Sequence, residues 1–347
     1  MDTDDLSERI VSSTLGLMDI LTISLGNQLG LYRVLHEHGP VDVDTLASHA
    51  GIATRYAREW LEQQAVAGLI AHDDGRFALP PEHVPVLIDA DSLAYLAPMA
   101  DLMAAAGGQI AALAEAYRTG GGVSWAQFGP VMRAAQAAGN RPWYIGPLVQ
   151  DWLPSIDGLT DRLDAGGRVL EIGSGEGWAS ISVAERWPHA HVDAVDVDVP
   201  SIDAARLHAT EHGVHDRVTF HTDPATLPAE QSYDLVMALE CLHDMPDPVS
   251  VLAAMRGRVA ADGTVFVMDE RAAHTFTGEG DDIERLLYGW STLICLPDSM
   301  AHPGSVATGT VMRPETLRRY ATAAGFSEVE ILPLENALWR FYRLRIG

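Results

Sequence analysis

The stretch "VLEIGSGEGW", Val169–Trp178, decides how the second half of this 347-residue chain folds. An apolar run ends in closely spaced glycines and a helical pattern follows, the strand–turn–helix order in which a nucleoside can be held. The glycines are Gly173, Gly175 and Gly177, a G-x-G-x-G spacing. A dinucleotide fingerprint needs its last glycine one position later, for close helix–strand packing. That position holds Trp178, which argues against NAD. No Lys-Ser/Thr follows the turn, so it is not a P-loop. Asp196 closes the next apolar run, where an acidic side chain can grip two ribose hydroxyls.

On either side of the turn, apolar runs recur at Arg168–Ile172, His191–Val195, Val218–Phe220, Leu235–Leu239 and Thr264–Met268, with helical patterns between them. That alternation predicts a parallel sheet. "SEVEILPLE" and "WRFYRLRI" then follow one another without a helix, which predicts an antiparallel edge.

The first half is helical in pattern. Leu6–Leu35 carries apolar residues at helical spacing (Leu6, Ile10, Leu17, Leu21, Leu25, Leu29) and predicts a helix ending at Gly39-Pro40. Asp44 is placed to cap a short helix, and Thr54 to cap another that buries Tyr56, Trp60, Leu61 and Leu69. "AHDDGRFALP" predicts a two-strand ribbon turning at Asp74-Gly75. Three helices and a ribbon are the order of a winged helix-turn-helix. "RTGGGVSW" (Arg118–Trp125) and "GNRPWY" (Gly139–Tyr144) read as loops.

A chain of this length exceeds one ordinary core, so two domains are expected, 1–155 and 156–347. No apolar run reaches the roughly 18 residues that cross a bilayer. The most apolar region, Leu93–Leu113, carries Asp101 and a Gly-Gly pair and reads as a buried helix. The opening "MDTDDLSE" is acidic where a signal peptide is basic. The two cysteines, Cys241 and Cys295, have no CxxC spacing. A soluble, cytoplasmic protein is therefore expected. Acidic residues number 48 against 23 basic ones, for a net charge of −25, and every basic residue is Arg. The absence of lysine excludes Schiff-base chemistry on a lysine. The negative field repels nucleic acid and anionic membranes, so neither is an expected partner. The 14 histidines show no metal-ligand spacing, and Asp281-Asp282 reads as a helix start, so no metal is expected.

Taken in order, "VLEIGSGEGW", "VDAVDVD", "FHTDPATLP", "YDLVMALECLHDM" and "GTVFVMDE" resemble the Rossmann-like S-adenosylmethionine-dependent methyltransferases. The resemblance covers roughly the C-terminal 190 residues and implies an α/β fold: a Rossmann-like methyltransferase sheet with an antiparallel C-terminal edge. It implies S-adenosylmethionine as cofactor and S-adenosylhomocysteine as product. It places Glu171 beneath the methionine end, Gly173, Gly175 and Gly177 against the cofactor, Asp196 on the ribose and Asp223 at the adenine amino group. Glu240 joins them as a cofactor-binding residue. The cofactor carries no phosphate, its carboxylate can use main-chain N–H groups at the turn, and its cationic groups suit an acidic site.

The helical winged-helix-like domain in front narrows the resemblance to bacterial small-molecule O-methyltransferases, in which it makes a homodimer and roofs the active site. "CLHDMPDP" resembles their HD-W-x-D segment, whose His is the general base on the acceptor hydroxyl. Here that residue is His243, with Asp269 or Glu270 available to orient it. Met245 stands where the segment has Trp, and the glutamate–arginine pair expected near the start of "GSVATGTVMRPETLRRYATAAGF" is missing. Trp143, Tyr144, Tyr288, Trp290 and Met300 lie in segments that, by the resemblance, approach the acceptor pocket.

The expected function is methyl transfer to a small-molecule acceptor, at a hydroxyl oxygen, by in-line displacement. Two other readings stand beside it. Relatives of this fold use the bound cofactor for other chemistry, which the lack of a 14-dalton increment in the product would reveal. A winged-helix regulator would bind DNA, but its recognition-like helix, Thr54–Ile70, balances Arg55 and Arg58 against Glu59 and Glu62.

Overall fold

The computed structural model describes residues 1–347. The chain divides into two compact units, Met1–Gly108 with Pro130–Pro142, and Gln109–Gly129 with Trp143–Gly347.

In the first unit, α1 (Thr3–Gln28) starts at a capping box between Asp2 and Asp5, each side chain accepting the other's backbone N–H. It does not run on to Leu35. Gly30 takes φ 66°, a left-handed conformation that ends the helical ladder, and α2 (Leu31–His38) starts after it. Asp42, not Asp44, caps α3 (Val43–Ala50): Asp44 already lies in the first turn, and Asp42 accepts the Thr45 N–H at 2.8 Å. Thr54 is likewise the first residue of α4 (Thr54–Val66), which follows Ala53 with no side-chain cap. The buried stripe of α4 is Ala57, Trp60, Leu61 and Gln64. Tyr56 falls outside that stripe and is exposed, and Leu69 beyond the helix is half-buried. β1 (Ala71–Asp73) and β2 (Arg76–Ala78) form the expected ribbon, with Asp74 and Gly75 at φ 41° and 75° in its tight turn. Leu31, Leu35, Leu46, Trp60, Leu61 and Phe77 centre this unit's core.

Every residue from Met1 to Met18 is exposed, including Leu6, Ile10, Val11, Leu15 and Leu17. The most apolar 18-residue window of α1 has a mean hydropathy of 1.3 and is 11% buried, so by length and composition this helix meets the criteria of a membrane span. That corrects the expectation of no such segment: Ser, Thr and Gly interrupt strictly apolar runs without making the helix polar.

Leu93–Leu113 is not one buried helix. After the single turn α5 (Val84–Leu87) come α6 (Ala97–Gly107) and α7 (Ile110–Thr119), separated at the Gly-Gly pair, with Leu93 and Ile110 exposed. α8 (Trp125–Trp143) bends at Gly129, φ 84°. The loop expected at Gly139–Tyr144 is helical instead. It completes α8 and leads into wide i→i+5 turns over Tyr144–Trp152. Pro147 lacks the N–H that regular turns need, and the wide turns accommodate it. α9 (Leu159–Asp164) follows.

The second unit is built on seven strands: β3 (Arg168–Ile172), β4 (His191–Val195), β5 (Val218–His221), β6 (Tyr233–Leu239), β7 (Val259–Glu270), β8 (Glu328–Ile331) and β9 (Trp339–Arg345). Their order is β5-β4-β3-β6-β7-β9-β8. The first five run parallel, and β9 pairs antiparallel with both β7 and β8. α10 (Trp178–Arg186) and α11 (Val199–Glu211) cross between β3, β4 and β5, and α12 (Pro248–Arg258) joins β6 to β7. α13 (Asp282–Trp290), α14 (Leu296–Met300) and α15 (Pro314–Ala323) precede the antiparallel edge. The chain winds outward from β3 to β5, then returns to place β6 on the other side of β3. That reversal opens a crevice at the carboxyl ends of β3 and β6, where open α/β sheets bind ligands.

Candidate active site

The glycine turn leaves β3 into this crevice. Gly173, Gly175 and Gly177 have φ of 75°, 51° and 81°, values that a side chain resists. Two of them also lack room for one. A Cβ on Gly177 would lie 2.7 Å from the Phe220 ring, and a Cβ on Gly173 would lie 2.6 Å from Cys241 Sγ. Gly175 faces open space. The turn's own N–H groups are engaged within the protein: Gly173 and Ser174 donate to the Val195 carbonyl, Gly175 to Asp196 Oδ2 at 2.8 Å, and Gly177 to the Ser174 carbonyl. The Ser174 hydroxyl is buried there without a partner. An orphaned donor is what a ligand carboxylate needs.

Asp196 follows β4 and accepts the Gly175 and Asp198 N–H groups, at 2.8 and 2.9 Å. Burial raises its pKa despite those bonds. Glu171 lies within β3, buried, with the Ser180 hydroxyl donating to it. Burial pushes its pKa up to about 8 against the Ser180 hydrogen bonds, which lower it. Asp223 is exposed at the start of the short turn Pro224–Thr226, its carboxylate accepting the Ala225 N–H at 2.8 Å. Glu240 follows β6 at φ 51°, its N–H donating to the Met268 carbonyl at 2.8 Å. A left-handed non-glycine residue is uncommon, and such residues concentrate at ligand sites.

His243 follows on the same loop and is buried. Its Nδ1 lies 3.0 Å from Asp269 Oδ1 and 2.9 Å from Glu270 Oε2, both at the end of β7. Its Nε2 lies 3.2 Å from Asp244 Oδ1. Burial alone would lower the imidazole pKa, but Asp244, Glu270 and Asp269 together outweigh it and hold His243 well above its ordinary value. Burial, aided by Asp269, raises Glu270 well above the carboxylate range against the pull of His243. His243 with Asp269 and Glu270, and His243 with Asp244 and Cys295, each bring three potential metal-ligand atoms within 4.8 Å of one another. The acids around His243 thus favour its charged form. The loop carrying it touches the glycine turn, because Cys241 donates to the Ile172 carbonyl at 3.2 Å.

The remaining candidates spread over the unit. Trp143 stands edge-on to Trp339 at 4.9 Å and belongs with Trp152 to an aromatic cluster, and Tyr144 is buried in the same core. The Tyr288 hydroxyl accepts an Arg313 N–H at 3.0 Å. Trp290 is half-buried with its indole N–H unpartnered, and Met300 is half-buried at the end of α14. Ser174, Asp244, Cys295 and Asp298 were not singled out in the sequence. Asp298 accepts the Trp125 N–H at 2.6 Å, and burial with Asp244 nearby raises it to about 7.

Residues 147–331 match the family model described as a methyltransferase domain, and residues 14–88 match the Rv2258c-like winged HTH domain. The chain is 33% identical over 207 residues to the ubiquinone biosynthesis O-methyltransferase of Aromatoleum aromaticum, covering 58% of this chain and 79% of that protein. For several further proteins of that name the match covers about half of their length. The fold is similar to that of the mitomycin 7-O-methyltransferase MmcR, with a TM-score of 0.73, 18% identity, and 99% and 98% of the two chains covered. It is similar also to human N-acetylserotonin methyltransferase in complex with SAM, with a TM-score of 0.71, 17% identity, and 100% and 99% covered.

Proposed function

The chain belongs to the methyltransferase-domain family, and from that membership we propose that it methylates a hydroxyl oxygen of a small molecule, with S-adenosylmethionine as methyl donor. When bound, the cofactor supplies an activated methyl group on a sulfonium. The observation that carries the oxygen assignment is the buried His243 cluster on the loop that touches the glycine turn. A hydroxyl acceptor must lose a proton, and this cluster is where one can be taken up. Asp269 and Glu270 fix the ring through Nδ1, leaving Nε2 as the exchanging atom once it is released from Asp244.

Asp196, fixed by two backbone N–H groups, suits the ribose hydroxyls, and the Ser174 hydroxyl suits the methionine carboxylate. Glu171 and Glu240 would face its cationic end, and Asp223 the adenine. Trp143, Tyr144, Tyr288 and Met300 remain candidates for the acceptor side, the first two as its aromatic floor. The reading includes no metal: the acids around His243 favour its cationic form, which supplies positive charge to the cluster.

We also infer a homodimer, supported by the exposed apolar residues of α1, and a cytoplasmic location, supported by the acidic opening of the sequence. Both arginines of α4 are paired with glutamates one turn on, Arg55 with Glu59 and Arg58 with Glu62, leaving little charge for DNA phosphates. The test incubates the protein with labelled S-adenosylmethionine and a panel of phenols, amines and carbon acids, with and without a chelator. We expect a 14-dalton increment on phenolic products that survives chelation. Products methylated at nitrogen or carbon alone would overturn the oxygen assignment, and loss of activity with chelator would overturn the metal-free one.

A further inference from the structure

The loop after β6 and the segment before α14 bring three different metal donors together. His243 and Asp244 come from the loop, and Cys295 ends the wide turns Ser291–Cys295. One donor atom from each lies within 4.8 Å of the other two. His243 Nε2 is 3.2 Å from Asp244 Oδ1, a buried oxygen with no hydrogen-bond partner. The Cys295 thiol is within hydrogen-bonding reach of both the Asp244 carboxyl and the imidazole.

An imidazole nitrogen, a carboxylate oxygen and a thiolate sulfur are donors for Zn²⁺, whereas Mg²⁺ and Ca²⁺ take oxygens. Zinc bonds of about 2.0–2.3 Å in a tetrahedron set neighbouring donors roughly 3–4 Å apart, so this cluster needs only a small contraction. A histidine that ligates zinc is held from behind by a carboxylate on its other nitrogen. His243 already has that support: its Nδ1 is 3.0 Å from Asp269 Oδ1 and 2.9 Å from Glu270 Oε2. Nε2 is thereby turned towards Asp244 and Cys295. Cys241, the chain's other cysteine, spends its hydrogen on the Ile172 carbonyl. Asp244 and Cys295 are half-buried, so an ion can enter from their side. Zn²⁺ replaces the protons on its ligands and brings two positive charges to a place crowded with acids.

We propose that His243 Nε2, Asp244 and Cys295 form an inhibitory zinc site, in which bound Zn²⁺ occupies the nitrogen that takes the acceptor's proton. The inhibitory half rests on the reading of His243 as the base; the donor set stands without it. Zinc is no part of the methyl transfer: it competes with it. Asp269 is a positioning residue for the site, acting on the metal through the ring.

Two measurements separate the site from its effect. In the first, Cd²⁺, which prefers the same donors, is titrated into chelator-treated protein while the thiolate-to-metal absorption band is followed. A single equivalent should bring up the band, and Cys295→Ser should abolish it. Asp269→Asn should keep the band but weaken metal affinity by about 10- to 100-fold, the usual effect of losing the support behind a ligand. In the second, initial rates of methyl transfer are read at saturating cofactor, each variant against its own metal-free rate. Zn²⁺ should lower the wild-type rate as the site fills, chelator should restore it, and Mg²⁺ should leave it unmoved. Cys295→Ser should need more than about tenfold more Zn²⁺ for half-inhibition. No band at one equivalent, or a band that survives in Cys295→Ser, would overturn the site. A rate that rises with Zn²⁺ would overturn the proposal as well. A full band with an unchanged rate would instead overturn the base reading, and the inhibition that rests on it.

Discussion

A base must be neutral before it can accept a proton, and His243 sits among three acids that favour its charged form. The acid limb of the rate profile should therefore lie well above about pH 6.5, the midpoint of an unperturbed imidazole, with methyl transfer still rising through neutrality. The sign follows from the raised pKa: the active, neutral form is lost as pH falls through it. Asp244→Asn removes the largest charge that holds the proton, so its limb should move to lower pH. His243→Ala should remove the limb and slow the reaction by about 10² to 10⁴-fold while leaving S-adenosylhomocysteine affinity nearly unchanged. Rate profiles at saturating cofactor decide this; a limb unmoved in Asp244→Asn, or a fast His243→Ala enzyme, would sink the base role. The partnership of His243 with Asp269 and Glu270 was legible because strand ends meet in such a sheet. Asp244 and Cys295 were not. One is a chain neighbour whose side chain turns back on the ring, and the other comes from a helix 52 positions later, beyond any spacing rule.

At the scale of elements, the glycine turn allows a comparison of two substitutions. Gly177→Ala puts a methyl 2.7 Å from Phe220 and 2.9 Å from Ala205 at φ 81°, where neither neighbour can yield cheaply. It should cost about 1–3 kcal/mol of stability and loosen α10 from α11 and β5. Gly175→Ala meets nothing within 4 Å, so only left-handed strain of about 1–2 kcal/mol opposes it. Its methyl enters the open side of the turn, so cofactor affinity should fall with the smaller loss of stability. Thermal denaturation with and without S-adenosylhomocysteine separates the two; equal melting temperatures would contradict this account. Periodicity and apolar runs made the sheet legible: β3 and β4 occupy the expected residues. Breaks were harder. Gly30 and the Gly107-Gly108 pair end helices whose apolar pattern runs straight through, because periodicity reports which face is apolar and not whether the backbone stays helical. The opposite held at Pro142, which sits within α8 as the helix runs on into the wide turns.

For the whole molecule, the decisive surface is the first five turns of α1. Leu6, Ile10, Val11, Leu15, Leu17 and Met18 are between 44% and 61% exposed, too much apolar area for a lone helix in water. From Asp19 onward the helix is tied down, for Trp60 donates to the Thr22 carbonyl at 3.0 Å and Ser24 to Asp101 at 2.6 Å. Removing residues 2–17 should therefore leave a folded monomer, while the full chain sediments as a dimer. A full-length monomer at micromolar concentration, or partition of the full chain into lipid vesicles, would overturn the dimer. The two-part organisation was legible in the switch from helical to alternating patterns. The order in which segments join the two units was not, since no local pattern marks Gln109–Gly129 as part of the second.

That order has a consequence for how the chain is made. The Tyr117 hydroxyl donates to the carbonyl of Thr292, 175 residues away, and Val123 donates to the Pro297 carbonyl at 3.0 Å. A Cβ on Gly122 would strike the Ala301 backbone at 2.1 Å, so main chain lies directly on main chain there. On the ribosome, at about 5–20 residues per second, α7 and the loop after it wait roughly ten to thirty seconds for that surface to emerge. During this interval the nascent α1 is already outside the tunnel with its apolar side bare. Slowing translation lengthens that interval and should lower the soluble yield.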